Sequence, residues 1–297
     1  MKQNHFIKHS KTQEKNIVSI KQHFLLILST TLLISFTFFS CKTTDFHETS
    51  PPEQILFSYD EINWIKINEY AHQFDYKFTN KKYFSIVKVN LDSPDLIINI
   101  YPEYEQNNKW YKPISVKKYA KKTNSFIAIN TTPFRKENIL FNSKVKPVGT
   151  IISNKKELFP PNEKYSALAI KKTENGYLAK IIETQSNDSL KNYDYTIGGF
   201  WTIIQNKKII PFKKILDTRC AIGTDETNKI LYFFIGNNFT YEECAEILLK
   251  TGSSDALQFD GGNSSALYVN NKSLLKKTFT RDVAAILGIA NISQINY

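Results

Sequence analysis

One short stretch of the chain, Asp260-Gly-Gly-Asn-Ser-Ser265, combines a carboxylate, two glycines and three small polar residues. Apolar residues lead up to it from Ala256 and resume after it as far as Tyr268, so the pattern predicts a strand, a tight polar turn and a second strand. The glycines allow a ligand to approach the main chain closely. Two interpretations are open at this point: Asp260 is a catalytic carboxylate beside bare backbone amides, or Asp-Gly is only a hairpin turn.

Two further polar residues lie next to predicted strands. Asn130 follows the apolar segment Phe126–Ile129, and Arg219 precedes the segment Ala221–Gly223. Polar loops at strand ends often carry functional side chains, although a plain turn explains Asn130 equally well. Each residue alone is a weak signal, and the order Asn130, Arg219, Asp260 along the chain is more specific.

A helix is predicted between the second and third of these residues. Thr240 and Glu243 have the spacing of a capping box, in which each side chain accepts a hydrogen bond from the other residue's backbone N–H. Gly252 is a favourable residue just beyond a helix C-terminus. The helix leads directly into the strand that carries Asp260, so it is expected to position that residue.

The remaining elements are mostly predicted strands, because short apolar or alternating segments are separated by turn residues. A shorter helix is expected after the capping residue Ser115. We therefore predict an α+β fold, with a mixed, largely antiparallel sheet and a few packed helices. The predicted strands are Trp64–Ile67, Phe74–Phe78, Tyr83–Leu91, Leu96–Ile100, Phe126–Ile129, Lys146–Ser153, Tyr165–Ile170, Tyr177–Ile182, Tyr195–Ile204, Lys229–Ile235, Asp255–Asp260 and Arg281–Ala290.

The N-terminal part of the chain is typical of an export signal. Five lysines precede an apolar run, Phe24–Phe39, which is short for a transmembrane helix and suits the apolar region of a secretory signal. The run ends at Cys41 and resembles a bacterial lipoprotein signal, in which that cysteine becomes the lipidated N-terminus. An uncleaved signal anchor is the alternative. We predict a signal peptide over 1–40, a linker over 41–54 and a folded domain over 55–297, held at the outer side of a membrane in the bacterial cell envelope.

The charge of the chain favours anionic partners. The formal net charge is +11, of which residues 1–40 contribute +4 (five lysines and Glu14), so the rest of the chain carries 11 − 4 = +7. A mildly basic domain favours an anionic substrate or surface. No dense block of Lys and Arg with interleaved aromatic residues occurs, so nucleic acid is not an expected partner.

Histidine and cysteine usage argues against a zinc site or a Ser-His-Asp triad. Only His72 lies in the predicted folded domain away from the linker. Beyond Cys41, two cysteines remain, Cys220 and Cys244, which either form a disulfide or are buried thiols. No cofactor is predicted, and no ligand spacing supports a divalent ion at Asp260.

Four motifs in this order resemble the phosphodiester glycosidase family. The family has Ala-Ile-Asn-Gly-Gly-x-Phe, Pro-x-Gly, Arg-Thr/Ser-Ala-Ile-Gly, a capped helix, and Asp-Gly-Gly-Gly-Ser-Ser. The matching positions here are Ala128-Ile-Asn130 with Phe134, Pro147-Val-Gly149, Arg219-Cys-Ala-Ile-Gly223 and Asp260-Gly-Gly-Asn-Ser-Ser265. The resemblance extends over about 83–290.

The resemblance implies hydrolysis of the bond between a sugar's anomeric carbon and a phosphate in a phosphodiester, with a glycan or sugar phosphodiester as the partner. Asp260 is then the candidate nucleophile, base or electrostatic stabiliser. Arg219 could bind phosphate through two parallel hydrogen bonds, and Asn130 could orient a sugar hydroxyl or water. The residues expected to bind phosphate or sugar oxygens are Gly261, Gly262, Ser264 and Ser265.

Two departures from the family pattern keep other functions open. Thr131-Thr132 replaces a glycine pair, and Gly236-Asn237-Asn238 stands where the family has Asp-Gly-Arg. The alternatives are a non-catalytic lipoprotein of the same fold that binds glycan or wall polymer, and a purely structural lipoprotein. A second catalytic carboxylate, if there is one, would be Asp217 or Asp282, which are otherwise surface acids.

Overall fold

The structure of the chain is a computed structural model that describes residues 61–104, 110–138, 143–275 and 281–292. The predicted signal peptide (1–40), its lipidation residue Cys41 and the linker (41–54) lie outside these residues. The described residues all belong to one compact unit, Ile55–Tyr297. Among them, no helix is long and apolar enough to cross a membrane.

Strands make up most of the regular structure. The strands are β1 (Ile65–Lys66), β2 (Ala71–Lys77), β3 (Tyr83–Asn90), β4 (Leu96–Tyr101), β5 (Ser125–Asn130), β6 (Phe134–Lys136), β7 (Val145–Pro147), β8 (Ile151–Ser153), β9 (Lys156–Phe159), β10 (Ala167–Thr173), β11 (Gly176–Ile182), β12 (Tyr195–Gly198), β13 (Thr202–Gln205), β14 (Lys208–Ile209), β15 (Asp217–Thr224), β16 (Ile230–Phe239), β17 (Asp255–Gln258), β18 (Leu267–Val269), β19 (Lys272–Ser273) and β20 (Ile286–Asn291). The α-helices are α1 (Val116–Lys122), α2 (Asn187–Leu190) and α3 (Tyr241–Thr251), and Gly262–Ser264 forms a 3-10 turn.

The strands form three main sheets and one small ribbon. An eight-stranded sheet has the order β1-β2-β3-β16-β15-β17-β13-β14, and two five-stranded sheets have the orders β19-β18-β5-β20-β4 and β11-β10-β12-β8-β9. β6 pairs with β7. Every strand pairing in the described part of the chain is antiparallel. The fold is therefore mainly β, which is broadly compatible with the predicted α+β class and its few packed helices.

The three sheets enclose one large apolar core. Val87 of the eight-stranded sheet, Ile127 of β5 and Leu168 of β10 belong to the same buried cluster. The other face of the eight-stranded sheet packs against α3 in a second cluster, and α1 covers the outer face of β5, β18 and β20 in a third. Residues on opposite faces of β15 thus point into different clusters.

The capping signals around α3 are confirmed. Thr240 accepts a hydrogen bond from the Glu243 N–H, and Glu243 accepts one from the Thr240 N–H. Gly252 ends the helix with a φ of 116°. Ser115 caps α1 by accepting from the Lys118 N–H. These local signals depend on neighbouring residues only, which is why the sequence pattern is sufficient to find them.

Three predicted features differ from the structure. The segment Lys146–Ser153 is divided into β7 and β8 at Gly149, whose φ is 132°. The segment Tyr195–Ile204 is divided into β12 and β13, which belong to different sheets. A Cβ on Gly199 between them would lie 2.1 Å from Leu257 Cδ1, so the chain passes there with no room for a side chain.

The third difference concerns the stretch around Asp260, which is not a hairpin. β17 before it belongs to the eight-stranded sheet, and β18 after it pairs with β5 in a five-stranded sheet. The hairpin prediction is wrong because an Asp-Gly pair indicates a turn but not the partners of the flanking strands. The turn instead transfers the chain from one sheet to the other.

The two cysteines form no disulfide. Cys220 lies in the core between the sheets, whereas Cys244 on α3 lies in the cluster on the other face of β15. Both are fully buried. The interpretation as buried thiols therefore fits the structure.

Candidate active site

Asn130 fixes the main chain of Asp260. The Asn130 Nδ2 donates to the carbonyl oxygen of Asp260 at 2.7 Å, and its Oδ1 accepts from the N–H of Ala266 at 2.9 Å. The thiol of Cys220 also donates to this oxygen, with a separation of 3.1 Å. The Asp260 N–H donates to the carbonyl of Thr131 at 2.8 Å. Because Asn130 is only 1% exposed, its amide joins the strand ends around Asp260 from within the protein.

The Asp260 carboxylate lies in a small polar network. Its Oδ2 is 3.5 Å from Nη2 of Arg281, and 15% of the side chain is exposed. The Ser264 side chain and the Gly261 N–H also form hydrogen bonds with the carboxylate. Arg281 Nε donates to Ser264 Oγ at 2.8 Å, and Nη2 donates to the same oxygen. A carboxylate, a hydroxyl and a guanidinium thus contact one another directly.

Burial raises the pKa of the Asp260 carboxyl above its ordinary value of 3.8, and this is the largest effect on it. The hydrogen bonds from Ser264, Arg281 and Gly261, together with the positive charge of Arg281, oppose the shift without cancelling it. A buried carboxylate with a raised pKa is a frequent property of catalytic sites. The carboxylate remains partly desolvated when ionised, which strengthens its attraction to a positively charged carbon.

Arg281 is a residue of this network that was not predicted from the sequence. Its guanidinium lies 4.8 Å from the ring centroid of Phe134, and 36% of its side chain is exposed. One side of the guanidinium is therefore held by Asp260 and Ser264 while part of it faces solvent. The only sequence signal was its position at the start of the predicted strand Arg281–Ala290, which says nothing about proximity to Asp260.

The glycine pair after Asp260 lies against the start of β15. A Cβ on Gly261 would be 2.9 Å from the carbonyl oxygen of Thr218. Gly262 has a φ of 58°, and a Cβ there would be 3.3 Å from Oδ2 of Asp217. Side chains at either position would collide or be strained, so close passage of the main chain explains both glycines.

The two serines of the motif are fully buried. Ser264 contacts the charged pair, whereas Ser265 Oγ donates to the carbonyl of Thr218 at 3.3 Å. The structure thus places Ser264 beside Asp260 and places Ser265 against the start of β15. Their predicted contacts with substrate oxygens stay predictions.

Arg219 is not brought together with Asn130. Its Nε donates to the carbonyl of Phe239 at 3.0 Å, and its Nη2 donates to the carbonyl of Ile215. Its guanidinium lies 3.9 Å from the ring centroid of Tyr241, on the α3 side of β15, while the neighbouring Cys220 points to Asn130 on the other side. Arg219 is 5% exposed. These contacts join β15 to the end of β16, to the start of α3 and to the segment at Ile215. The predicted contact of Arg219 with phosphate stays a prediction.

The two threonines that replace the family's glycine pair are buried. Thr132 Oγ1 donates to the carbonyl of Gly198 at 2.8 Å, and both threonines are at most 1% exposed. Thr131 Oγ1 has no hydrogen-bond partner among the described residues. The pair connects the Asp260 turn with the segment at Gly198–Gly199, where β12 and β13 diverge.

The two acids considered as a second carboxylate lie in different places. Asp217 is exposed and lies against Gly262, as described above. Asp282 is exposed, and its charge acts on the hydroxyl of Tyr101. Of the two, Asp217 is the one that adjoins the turn after Asp260. No group of three or more His, Cys, Asp or Glu side chains that could hold a metal ion occurs in the described ranges.

Comparisons with known proteins agree with the motif order. A family model for phosphodiester glycosidases matches residues 123–290, which is more than half of the chain. No curated protein matches. The matched range contains Asn130, Arg219, Asp260 and Arg281.

Solved structures with the same fold share little sequence with the chain. A hypothetical protein from Synechocystis has 14% identity and a TM-score of 0.59, over 81% of this chain and 64% of that protein. This chain thus spans less than two thirds of the Synechocystis protein. The zebrafish N-acetylglucosamine-1-phosphodiester alpha-N-acetylglucosaminidase catalytic domain, auto-inhibited by its pro-peptide, has 15% identity and a TM-score of 0.57, over 78% of this chain and 88% of that domain. With the match of the family model over 123–290, the chain belongs to the phosphodiester glycosidase family.

Proposed function

We propose that this protein hydrolyses the bond between a sugar's anomeric carbon and the phosphate of a sugar-1-phosphodiester. The observation that carries the proposal is the partly exposed Asp260–Arg281 pair. It offers a carboxylate to a developing positive charge and a guanidinium to a phosphate within one small network. Family membership supports the same reaction class.

The reaction requires little acid catalysis. The bond from C1 to the phosphate oxygen breaks, and the phosphate monoester leaves with the electron pair. Water supplies the oxygen that binds to C1 and one proton that is released. Because a phosphate monoester is a good leaving group, the main task is to stabilise an oxocarbenium-like transition state. A desolvated Asp260 carboxylate is suited to this task, as nucleophile, base or electrostatic stabiliser.

Arg281 and Asn130 have separate roles in this proposal. The exposed part of the Arg281 guanidinium binds the phosphate, because arginine can form two parallel hydrogen bonds to phosphate oxygens. Asn130 acts through the main chain of Asp260 and is a positioning residue. Ser264 keeps Asp260 and Arg281 in fixed relative positions.

The test uses the full chain and the methyl phosphodiester of N-acetylglucosamine 1-phosphate, the sugar in the name of the zebrafish enzyme. The expected products are free sugar and methyl phosphate. The reaction is run in ¹⁸O-labelled water, and phosphorus NMR shows whether the label enters the phosphate. Label in the sugar shows cleavage at C1, whereas label in the phosphate shows cleavage at phosphorus and contradicts the proposal. Esters of other sugar 1-phosphates extend the test if this one is inert.

Two matched variants separate the site from the rest of the surface. Asp260→Asn is expected to lower kcat by at least about a hundredfold, since it removes the charge that stabilises the transition state. Asp188→Asn removes an acid on α2 whose side chain is 93% exposed, and it should leave kcat unchanged. Saturable glycan binding without turnover of any ester would instead support the non-catalytic glycan-binding alternative.

A further inference from the structure

An aromatic cluster lies near the N-terminus of α3. Trp201 stacks on Phe200, with ring centroids 5.1 Å apart and 24° between planes. It also contacts Phe212 at 6.0 Å and Tyr241 at 6.1 Å. Trp201 is nevertheless 39% exposed. The guanidinium of Arg219 lies over the Tyr241 ring, so the cluster is supported from within the protein while its surface is open to solvent.

A run of exposed residues, Lys213–Asp217, follows Phe212 of this cluster along the chain and includes the aliphatic residues Ile215 and Leu216. Ile215 and Leu216 are 59% and 53% exposed, which is unusual for neighbouring aliphatic residues. The carbonyl of Ile215 accepts a hydrogen bond from Arg219. The segment is therefore attached to the aromatic cluster through Arg219. An exposed apolar patch is typical of a binding site.

The same segment adjoins the candidate active site. Its last residue, Asp217, begins β15, and the Asp217 carboxylate lies 3.3 Å from where a Cβ on Gly262 would be. Gly262 is two residues from Asp260. Leu216 precedes Asp217, and successive Cα atoms are about 3.8 Å apart. Leu216, the first of the exposed aliphatic residues, is therefore adjacent in sequence to Asp217. Asp217 in turn contacts the turn that carries the proposed catalytic carboxylate.

Building on the proposed function, we propose that the alcohol esterified to the substrate's phosphate is a lipid alcohol. Its hydrocarbon chain lies along Leu216, Ile215 and Trp201 while the sugar phosphate occupies the Asp260–Arg281 site. Lys213 and Lys214, which are exposed in the same segment, match the anionic surface of a membrane that holds such an amphiphile. The substrate class is a sugar-1-phosphate joined to a long hydrocarbon chain.

The composition of the surface favours a hydrocarbon chain over a second sugar. A sugar ring needs hydrogen-bonding partners around its stacking surface, whereas Trp201 contacts the rings of Phe200, Phe212 and Tyr241, and Ile215 and Leu216 are aliphatic. Removing one methylene group from water favours binding by roughly a factor of four. Even partial burial of a short alkyl chain should therefore be measurable as a change in KM.

The experiment compares two esters of one sugar phosphate, the methyl and octyl phosphodiesters of N-acetylglucosamine 1-phosphate, with the full chain and below the concentration at which the octyl ester forms micelles. We expect at least a tenfold lower KM for the octyl ester. The double variant Ile215→Ser, Leu216→Ser should lose most of this preference and keep wild-type kinetics on the methyl ester. Ile65→Ser is the matched control, because Ile65 is 61% exposed on β1, at an edge of the eight-stranded sheet.

The outcomes separate the two proposals. If the methyl ester is hydrolysed and the octyl ester has the same KM, the lipid inference is wrong and the proposed function stands. An octyl preference that survives in the double variant, or that disappears in Ile65→Ser, also overturns it. An ester of a second sugar that is preferred over the octyl ester assigns the surface to a glycan. If the methyl and octyl esters of N-acetylglucosamine 1-phosphate and those of the other sugar 1-phosphates all resist hydrolysis, the proposed function fails and the inference with it.

Discussion

At the scale of single residues, the acid at the centre of the site is destabilising when ionised. The Asp260 pKa is raised on folding by burial, so between the ordinary value of 3.8 and the raised value the folded state binds more protons than the unfolded state. The free energy of unfolding therefore falls as the pH rises through this window. Asparagine has the same shape and no such ionisation.

We expect the melting temperature of Asp260→Asn, relative to that of the wild type, to increase as the pH is raised from below 3.8 through the folded-state pKa, and then to become constant. The physical reason is that only the wild type must ionise a carboxyl in a poorly solvated position. Thermal unfolding at a series of pH values measures this. A difference that decreases with pH would mean that Arg281 and Ser264 lower the pKa by more than burial raises it.

The two arginines should respond differently to the same substitution. Arg281→Gln is expected to raise KM for the methyl ester by roughly tenfold to a hundredfold, because a charged contact to phosphate is worth about 1.5–3 kcal/mol. Arg219→Gln is expected to lower the free energy of unfolding by about 1–3 kcal/mol, since it breaks hydrogen bonds with the buried carbonyl of Phe239 and with the carbonyl of Ile215. Kinetics and urea unfolding on both variants check the pair. A large rise in KM for Arg219→Gln with unchanged stability would restore the phosphate-binding role predicted from the sequence.

This contrast shows what the sequence could reveal about the site. Asp260 was found because the two glycines after it are required by close passage of the main chain at Thr218 and Asp217, and such glycines form a recognisable motif. Arg281 was not found because it is distant from Asp260 in the sequence, and only the folded chain brings the two side chains together. No local pattern records that contact.

At the scale of elements, Gln185 holds three segments together. Its Oε1 accepts from the N–H groups of Thr150 and Asn162, and its Nε2 donates to the carbonyl of Ser166. Gln185 is fully buried. A Cβ on Gly198, whose carbonyl accepts from Thr132, would lie 2.9 Å from Nε2 of Gln185.

Gln185→Leu should therefore lower the free energy of unfolding by at least about 2 kcal/mol, since an unsatisfied buried polar group costs about 1–3 kcal/mol. Gln73→Leu is the control, because Gln73 Nε2 is bonded only at the surface, to Asp75. Urea unfolding of both variants, together with kcat, measures the effect. Equal stability of the two variants would mean that water satisfies the groups that Gln185 leaves behind.

The helices and strands show the same division between local and distant information. The caps of α3 at Thr240 and Gly252 follow from residues within the helix ends, and the prediction succeeded. The break at Gly198–Gly199 depends on Leu257, which comes from another strand and leaves no space for a side chain. The apolar segment Tyr195–Ile204, with its glycine pair, is therefore predicted as one strand from the sequence, whereas the fold divides it into two strands of different sheets.

At the scale of the whole molecule, the site lies where sheets meet. β17 ends in one sheet, β18 begins in another, and Asn130 at the end of β5 joins them through the main chain of Asp260. The core between the sheets fixes these strand ends, so the carboxylate is held by the global packing. This arrangement makes the turn a rigid support for the proposed catalysis, and the exposed Ile215 and Leu216 near it are suited to the proposed amphiphilic substrate.

A lipid-linked substrate would place the enzyme at a membrane, and the proposed lipidation of Cys41 would do the same independently. If the lipid is attached at Cys41 as predicted, Cys41→Ser should abolish incorporation of a clickable palmitate analogue in a bacterial host. The variant should also leave the membrane fraction or accumulate with its signal peptide uncleaved. Cys220→Ser and Cys244→Ser should retain the label, since both thiols are buried. Label retained in Cys41→Ser would contradict lipidation at this residue. Activity on the soluble methyl ester should be unchanged in Cys41→Ser, because tethering brings the enzyme to its substrate without altering the site.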